Sequence, residues 1–212
     1  MTVSRAIVEH SLDDLRSDDV RFLQQAADGG ELHVRVPSDV LVEEATGAPP
    51  KFPAAERLFL AQSLRWVSSA EEVDQPLSAA LDGIAAGVST LAVRAEDDDQ
   101  PLRSAAEAAG LTVRAISPED RAGFPLIEPE GELAADAATV VVTGCFDWVH
   151  SGHIRFFMDA AEHGALYVVI GSDRNVRLLK GEGHPLQREE ERRYMVGSMK
   201  PIAVAIAIGR SW

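Results

Sequence analysis

Residues 139–157 read TVVVTGCFDWVHSGHIRFF: a β-branched run, a turn containing Gly144, and an amphipathic stretch that opens near Ser151. This order sets His150 and His153 at the start of a helix, where backbone N–H groups lack partners and the dipole favours an anion. At their spacing both imidazoles can address one point, and Gly152 between them lets a bulky polyphosphate approach the backbone. Gly144 permits a tight turn close to a ligand. The chemistry that suits such a place is capture of a phosphate-bearing molecule and stabilisation of charge that develops on it.

The segment GCFDWVHSGH also resembles the signature strand, turn and HxGH motif of the cytidylyltransferase-like nucleotidyltransferases, which transfer cytidylyl or adenylyl groups. The resemblance implies that His150 and His153 steady a triphosphate while its α-phosphorus is attacked and pyrophosphate leaves. It implies nucleotide contacts from Thr143, Gly144, Cys145, Phe146 and Gly152. GSDRNVRLLKG is similar to the family segment after the second strand, with Lys180 reaching the phosphates, and EERRYMV, with Arg192, resembles the helix that follows. The implied donor is CTP or ATP carried with Mg2+, and the implied acceptor is a small phosphorylated molecule such as glycerol phosphate, ethanolamine phosphate or a sugar phosphate. No metal site built by the protein itself is expected.

Positioning these residues requires a strand that ends at the turn and a helix that packs back on it, and the chain holds that pattern twice. Sliding the sequence by 134 residues overlays 12–47 on 146–181 with thirteen identities in thirty-six positions, among them Asp13/Asp147, Ser17/Ser151, Arg21/Arg155 and Ser38-Asp39/Ser172-Asp173. Chance gives roughly one identity in fifteen. One inserted residue later, Glu56-Arg57 overlies Glu191-Arg192. Each copy reads as strand, helix, strand, and copy one continues through a helix near 54–65, a strand at 91–93, a helix near 101–109 and a strand at 111–116. The expected architecture is α/β: two tandem Rossmann-like domains with doubly wound parallel sheets. Their bounds are 1–117 and 139–212, joined by a Pro-, Gly- and acid-rich linker at 118–138. Copy one spends 51 residues between Arg65 and Ile116 whereas 12 follow Lys200, so the second domain is expected to be cut short.

The copies differ where chemistry would be. Gly144, His150, Gly152 and His153 correspond to His10, Arg16, Asp18 and Asp19, and Lys180 to Thr46, so copy one is expected to be a degenerate domain whose acids cap a helix and repel a triphosphate. Arg192 keeps its counterpart, Arg57, which assigns it to the fold as much as to the site. Asp147, recurring as Asp13, reads as a structural hydrogen-bonding group, Cys145 as a small buried filler, Trp148 as packing and His184 as a solvated loop residue.

Composition sets the remaining bounds. The 212 residues carry a net charge of -14, which excludes a general nucleic-acid backbone binder. Acidity is concentrated in the first two thirds: residues 139–212 hold 8 acids against 9 Lys/Arg, together with four of the six histidines. One cysteine forbids an internal disulfide, and neither a membrane-spanning run nor a secretion signal is legible, so the expected compartment is the cytoplasm. A homodimer fits both the resemblance and the sheet edge that a short second domain would expose. The rival to an enzyme is a non-catalytic nucleotide-binding or dimerisation module, motivated by the degenerate first copy.

Overall fold

The computed structural model describes residues 4–81, 84, 87–129 and 138–208. The chain divides into two compact units, Met1–Ala122 and Gly123–Trp212.

Unit one runs β1 (Arg5–Glu9), α1 (Ser17–Ala27), β2 (Glu31–Pro37), α2 (Asp39–Thr46), α3 (Ala54–Ser63), β3 (Ser69–Val73), α4 (Leu77–Ala80), β4 (Thr90–Arg94), α5 (Gln100–Ala108) and β5 (Thr112–Ile116). Its five strands are all parallel in the order β3-β2-β1-β4-β5. A parallel sheet must be covered on both faces, which is why Val8, Leu32, Val34, Val36 and Leu91 are wholly buried. The strand order reverses beside β1, giving the doubly wound arrangement in which ligands enter at the carboxyl ends of the strands.

Unit two runs β6 (Thr139–Gly144), α6 (Ser151–Ala161), β7 (Ala165–Gly171), α7 (Asp173–Lys180), α8 (Glu189–Gly197) and β8 (Val204–Ile208). Its parallel strands lie in the order β6-β7-β8, repeating the sequence of elements from β1 to β3. One difference follows from the neighbours. Ile7 on β1 sits in a cluster with Leu77, Leu91, Val93 and Ala106, from α4, β4 and α5, and is 3% exposed. Val141, its counterpart on β6, is 61% exposed, because among the described residues no strand or helix covers that position.

The start of the Pro- and acid-rich stretch is held by side-chain contacts at Arg121 and Phe124. Arg121 is buried in unit one, donating to the Ile116 carbonyl and to Asp18 and Glu96. Phe124 packs on Tyr194 of α8, and its carbonyl accepts from Arg193. Residues 130–137 of the expected linker lie outside the described residues.

Candidate active site

His150 caps α6. Its Nδ1 accepts the Gly152 N–H at 3.1 Å, so the neutral ring carries its proton on Nε2 and keeps that donor for a ligand. A Cβ at position 152 would stand 3.0 Å from this ring, so the glycine serves the cap of its neighbour. One turn on, the His153 ring centroid is 4.0 Å from that of His150. The His153 Nδ1 is buried with no partner, and its pKa is held below the usual imidazole value by burial first, then by the electrostatic influence of the neighbouring His150 and of Lys180. The structure thus brings His150, His153 and Lys180 into one electrostatic neighbourhood.

Phe146 sets the position of His153. This residue has φ +46° and is buried, its ring edge-on to His153 at 5.5 Å and against Phe157 at 5.2 Å. Its ring folds back over the end of β6, where a Cβ on residue 144 would lie 2.7 Å from ring carbons. Gly144 is therefore required by an aromatic ring rather than by its own backbone angle. Leu12, the counterpart of Phe146, shares the left-handed backbone with φ +52°.

Thr143, Gly144 and Cys145, with Asn175 and Leu179 of α7, line a groove of about 300 Å³. Cys145 is half-buried in its wall rather than filling the core. Trp148 is 45% exposed, so packing covers part of its ring and leaves the rest to solvent.

Arg192, expected to serve the fold as much as the site, spends its guanidinium on the fold. Its side chain is fully buried and donates from Nε to the Gln187 carbonyl, from Nη1 to the Cys145 carbonyl at 2.6 Å and from Nη2 to Asp173 Oδ1 at 2.7 Å. A guanidinium so enclosed ties together the turn at Cys145, the start of α7 at Asp173 and the loop at Gln187. In unit one Arg57 is equally buried and makes the corresponding bonds to the Phe52 and Ser11 carbonyls and to Asp39.

Asp147 is the structural hydrogen-bonding group that its recurrence as Asp13 suggested, whereas its partner His184 escaped sequence reasoning. The Asp147 side chain is 1% exposed; Oδ1 accepts the N–H groups of Leu186 and Gln187, and Oδ2 accepts from His184 Nδ1 at 2.6 Å with Lys180 Nζ at 3.6 Å. Burial raises the pKa of this carboxyl, but the hydrogen bonds from His184, Gln187 and Leu186 and the charge of Lys180 more than reverse that and hold it below the ordinary value. His184, expected to be solvated, is docked on that carboxylate. The repeat of Asp13 as Asp147 was the available signal for the aspartate; none marked the histidine.

At the same place in unit one the helix start is already filled with carboxylates. Asp19 accepts from the Arg16 N–H, from His10 Nε2 and from Arg94, while Asp18 accepts from Arg94 and Arg121. The His10 ring, standing where Gly144 does, accepts the Leu12 N–H on Nδ1. An incoming phosphate would meet acids paired to arginines instead of free donors.

The Cytidylyltransferase-like family model matches residues 141–208. Residues 141–208 are a cytidylyltransferase-like domain. Matched relatives of this domain include the bifunctional protein HldE of Gluconobacter oxydans (strain 621H), 38% identical over 71 residues, 33% of this chain and 15% of that protein. HldE of Hydrogenovibrio crunogenus (strain DSM 25203 / XCL-2) is 48% identical over 48 residues, 22% of this chain and 10% of its own length. The alignments thus span a small part of those proteins. A solved lipopolysaccharide core biosynthesis protein from Thermoplasma volcanium GSS1 superposes with a TM-score of 0.46 at 21% identity, over 54% of this chain and 95% of that one. Within the cytidylyltransferase-like domain and the rest of the described chain, no group of three or more His, Cys, Asp and Glu residues is placed to hold a metal ion. No helix among the described residues is long and apolar enough to cross a membrane.

Proposed function

We propose that the cytidylyltransferase-like domain is a nucleotidyltransferase, passing a cytidylyl or adenylyl group from CTP or ATP to a small phosphorylated acceptor and releasing pyrophosphate. The observation that carries this reading is the pairing of His150 and His153 at the start of α6, one with Nε2–H free by virtue of its cap, the other with a buried, unpartnered Nδ1. An acceptor phosphate oxygen attacks the α-phosphorus in line, the bond to the β-phosphate oxygen breaks, and charge accumulates on the departing pyrophosphate. Fixed donors at that oxygen lower the barrier without a covalent intermediate. Lys180 supplies a mobile cation to the same phosphates. Magnesium enters with the triphosphate as part of the substrate, bridging its phosphate oxygens.

Neutral His153 suits this task before the ligand arrives, since a polyanion beside it favours the imidazolium and draws a proton as it binds. The groove formed by Thr143, Cys145, Asn175 and Leu179 offers the adjoining space for the rest of the nucleotide. By the same logic unit one, with Asp18 and Asp19 at the corresponding helix start, serves as a related but phosphate-free domain, the degenerate member of an internal repeat.

Calorimetric titration with Mg-CTP and Mg-ATP, coupled to a pyrophosphate-release screen over phosphorylated acceptors, tests the proposal. Binding that is abolished in His150→Ala, with turnover on one acceptor, is the expected result; binding unchanged in both His150→Ala and His153→Ala overturns it.

A further inference from the structure

The two equivalent aspartates use their oxygens differently. In unit one Asp13 spends one oxygen on each of two backbone groups, Oδ2 on the Lys51 N–H and Oδ1 on the Phe52 N–H, both at 3.0 Å. In unit two Asp147 loads both N–H groups, from Leu186 and Gln187, onto Oδ1 at 2.6 and 3.3 Å. Its second oxygen is thereby released from the task of holding the loop. His184 Nδ1 takes that oxygen at 2.6 Å, and Lys180 Nζ waits at 3.6 Å, beyond a hydrogen bond. The unit that has paired histidines is also the unit in which this oxygen is free to be contested.

A carboxylate that is 1% exposed cannot be left short of donors without a large desolvation cost. If His184 were absent, the nearest candidate for Oδ2 would be the Lys180 ammonium, and a lysine drawn fully onto a buried carboxylate is poorly placed to leave for a phosphate. With His184 in place, Lys180 can depart while Asp147 keeps three donors. We infer that His184 is a positioning residue that satisfies Asp147 so that Lys180 stays available to an incoming triphosphate. The functional half of this inference rests on the nucleotidyltransferase reading; the competition for Asp147 does not.

Two measurements separate these halves. The chain has three lysines, Lys51, Lys180 and Lys200, so acylation of each amine is resolved by peptide mass spectrometry, with Lys51, already on Asp14 at 2.5 Å, as an internal reference. His184→Ala is expected to slow acylation of Lys180 by about threefold as its ammonium moves onto Asp147, the effect of one partly exposed ion pair. His184→Asn, whose Nδ2–H can replace the imidazole Nδ1–H, is expected to restore the rate. So is the double variant His184→Ala/Asp147→Asn, because the asparagine oxygen still accepts from Leu186 and Gln187 but no longer attracts a cation. Unchanged Lys180 acylation in His184→Ala, or failure of Asp147→Asn to restore it, overturns the inference. Affinity for inorganic tripolyphosphate should follow the same order, falling about fivefold in His184→Ala and recovering in the other two. A merely structural role for His184 would lower affinity in the double variant as well. If the wild-type protein binds no tripolyphosphate while Lys180 acylation shifts as described, the nucleotidyltransferase reading falls and the competition for Asp147 stands.

Discussion

Arg57 and Arg192 make the same three hydrogen bonds in two halves of the molecule, yet the helix starts they support could hardly differ more. In unit two α6 opens on Gly152 and His153, with the ring Nδ1 of His153 left unpartnered, whereas in unit one α1 opens on Asp18 and Asp19, each paired with arginine. The comparison teaches that the guanidinium staple and the strand-turn-helix belong to the architecture, whereas a handful of substitutions at the helix start decide whether an anion can be received. A residue shared by both units is therefore a poor candidate for chemistry, however well it fits a motif.

The most direct way to break that comparison is to remove a donor from each helix start. His153→Ala should lower pyrophosphate release by about a hundred- to a thousand-fold, the usual cost of one preorganised donor, while Asp19→Ala in unit one leaves the rate within about twofold of wild type. Equal losses would mean that the two sites are not functionally distinct.

Removing the staple should instead treat the units alike. Arg57→Ala and Arg192→Ala are each expected to cost about 3 kcal/mol, since each empties a buried site and strands three acceptors. Hydrogen exchange followed by mass spectrometry should show the loss of protection confined to the unit that carries the change. Lysine at either position cannot span all three acceptors and should recover only part of it.

Gly144→Ala sharpens the contrast at one position. The added methyl meets the Phe146 ring at 2.7 Å, and displacing a buried ring costs about 1–3 kcal/mol. Because that ring abuts His153, nucleotide affinity should fall along with the melting temperature. At the corresponding place unit one carries His10, above Leu12 instead of phenylalanine.

The smallest effect is on pH dependence. Burial and the electrostatic influence of His150 and Lys180 lower the pKa of His153 in the free protein, and a bound polyanion raises it, so protons are taken up on binding. Affinity for tripolyphosphate should accordingly increase a few-fold as the pH falls from about 8 to about 6, and the slope should flatten in His153→Ala.

Much of this was legible in the sequence wherever a signal is local. Alternating and β-branched runs marked β1, β2 and β4 to β7, and the order strand, glycine turn, helix placed His150 and His153 together. What was hidden is instructive. β3 reads SAEEV, an edge strand with little to bury, so it has no hydropathic period. His184 lies 37 residues from the carboxylate it docks on, and loop composition alone made it a solvent residue. Arg192 fitted a motif, and the depth at which it is buried could be suspected only from its twin in the other copy. Gly144 was read for its backbone freedom when the constraint comes from an aromatic ring two residues later.

Val141, left open where Ile7 is enclosed, bears on how the two halves respond to temperature. Heat capacity of unfolding scales with the apolar surface that becomes wetted, and so does sensitivity to urea. A unit whose first strand already shows its valine to water has less to expose. The cytidylyltransferase-like half should therefore have the flatter stability curve of the two, changing less between cold and warm conditions, and the shallower urea transition per residue.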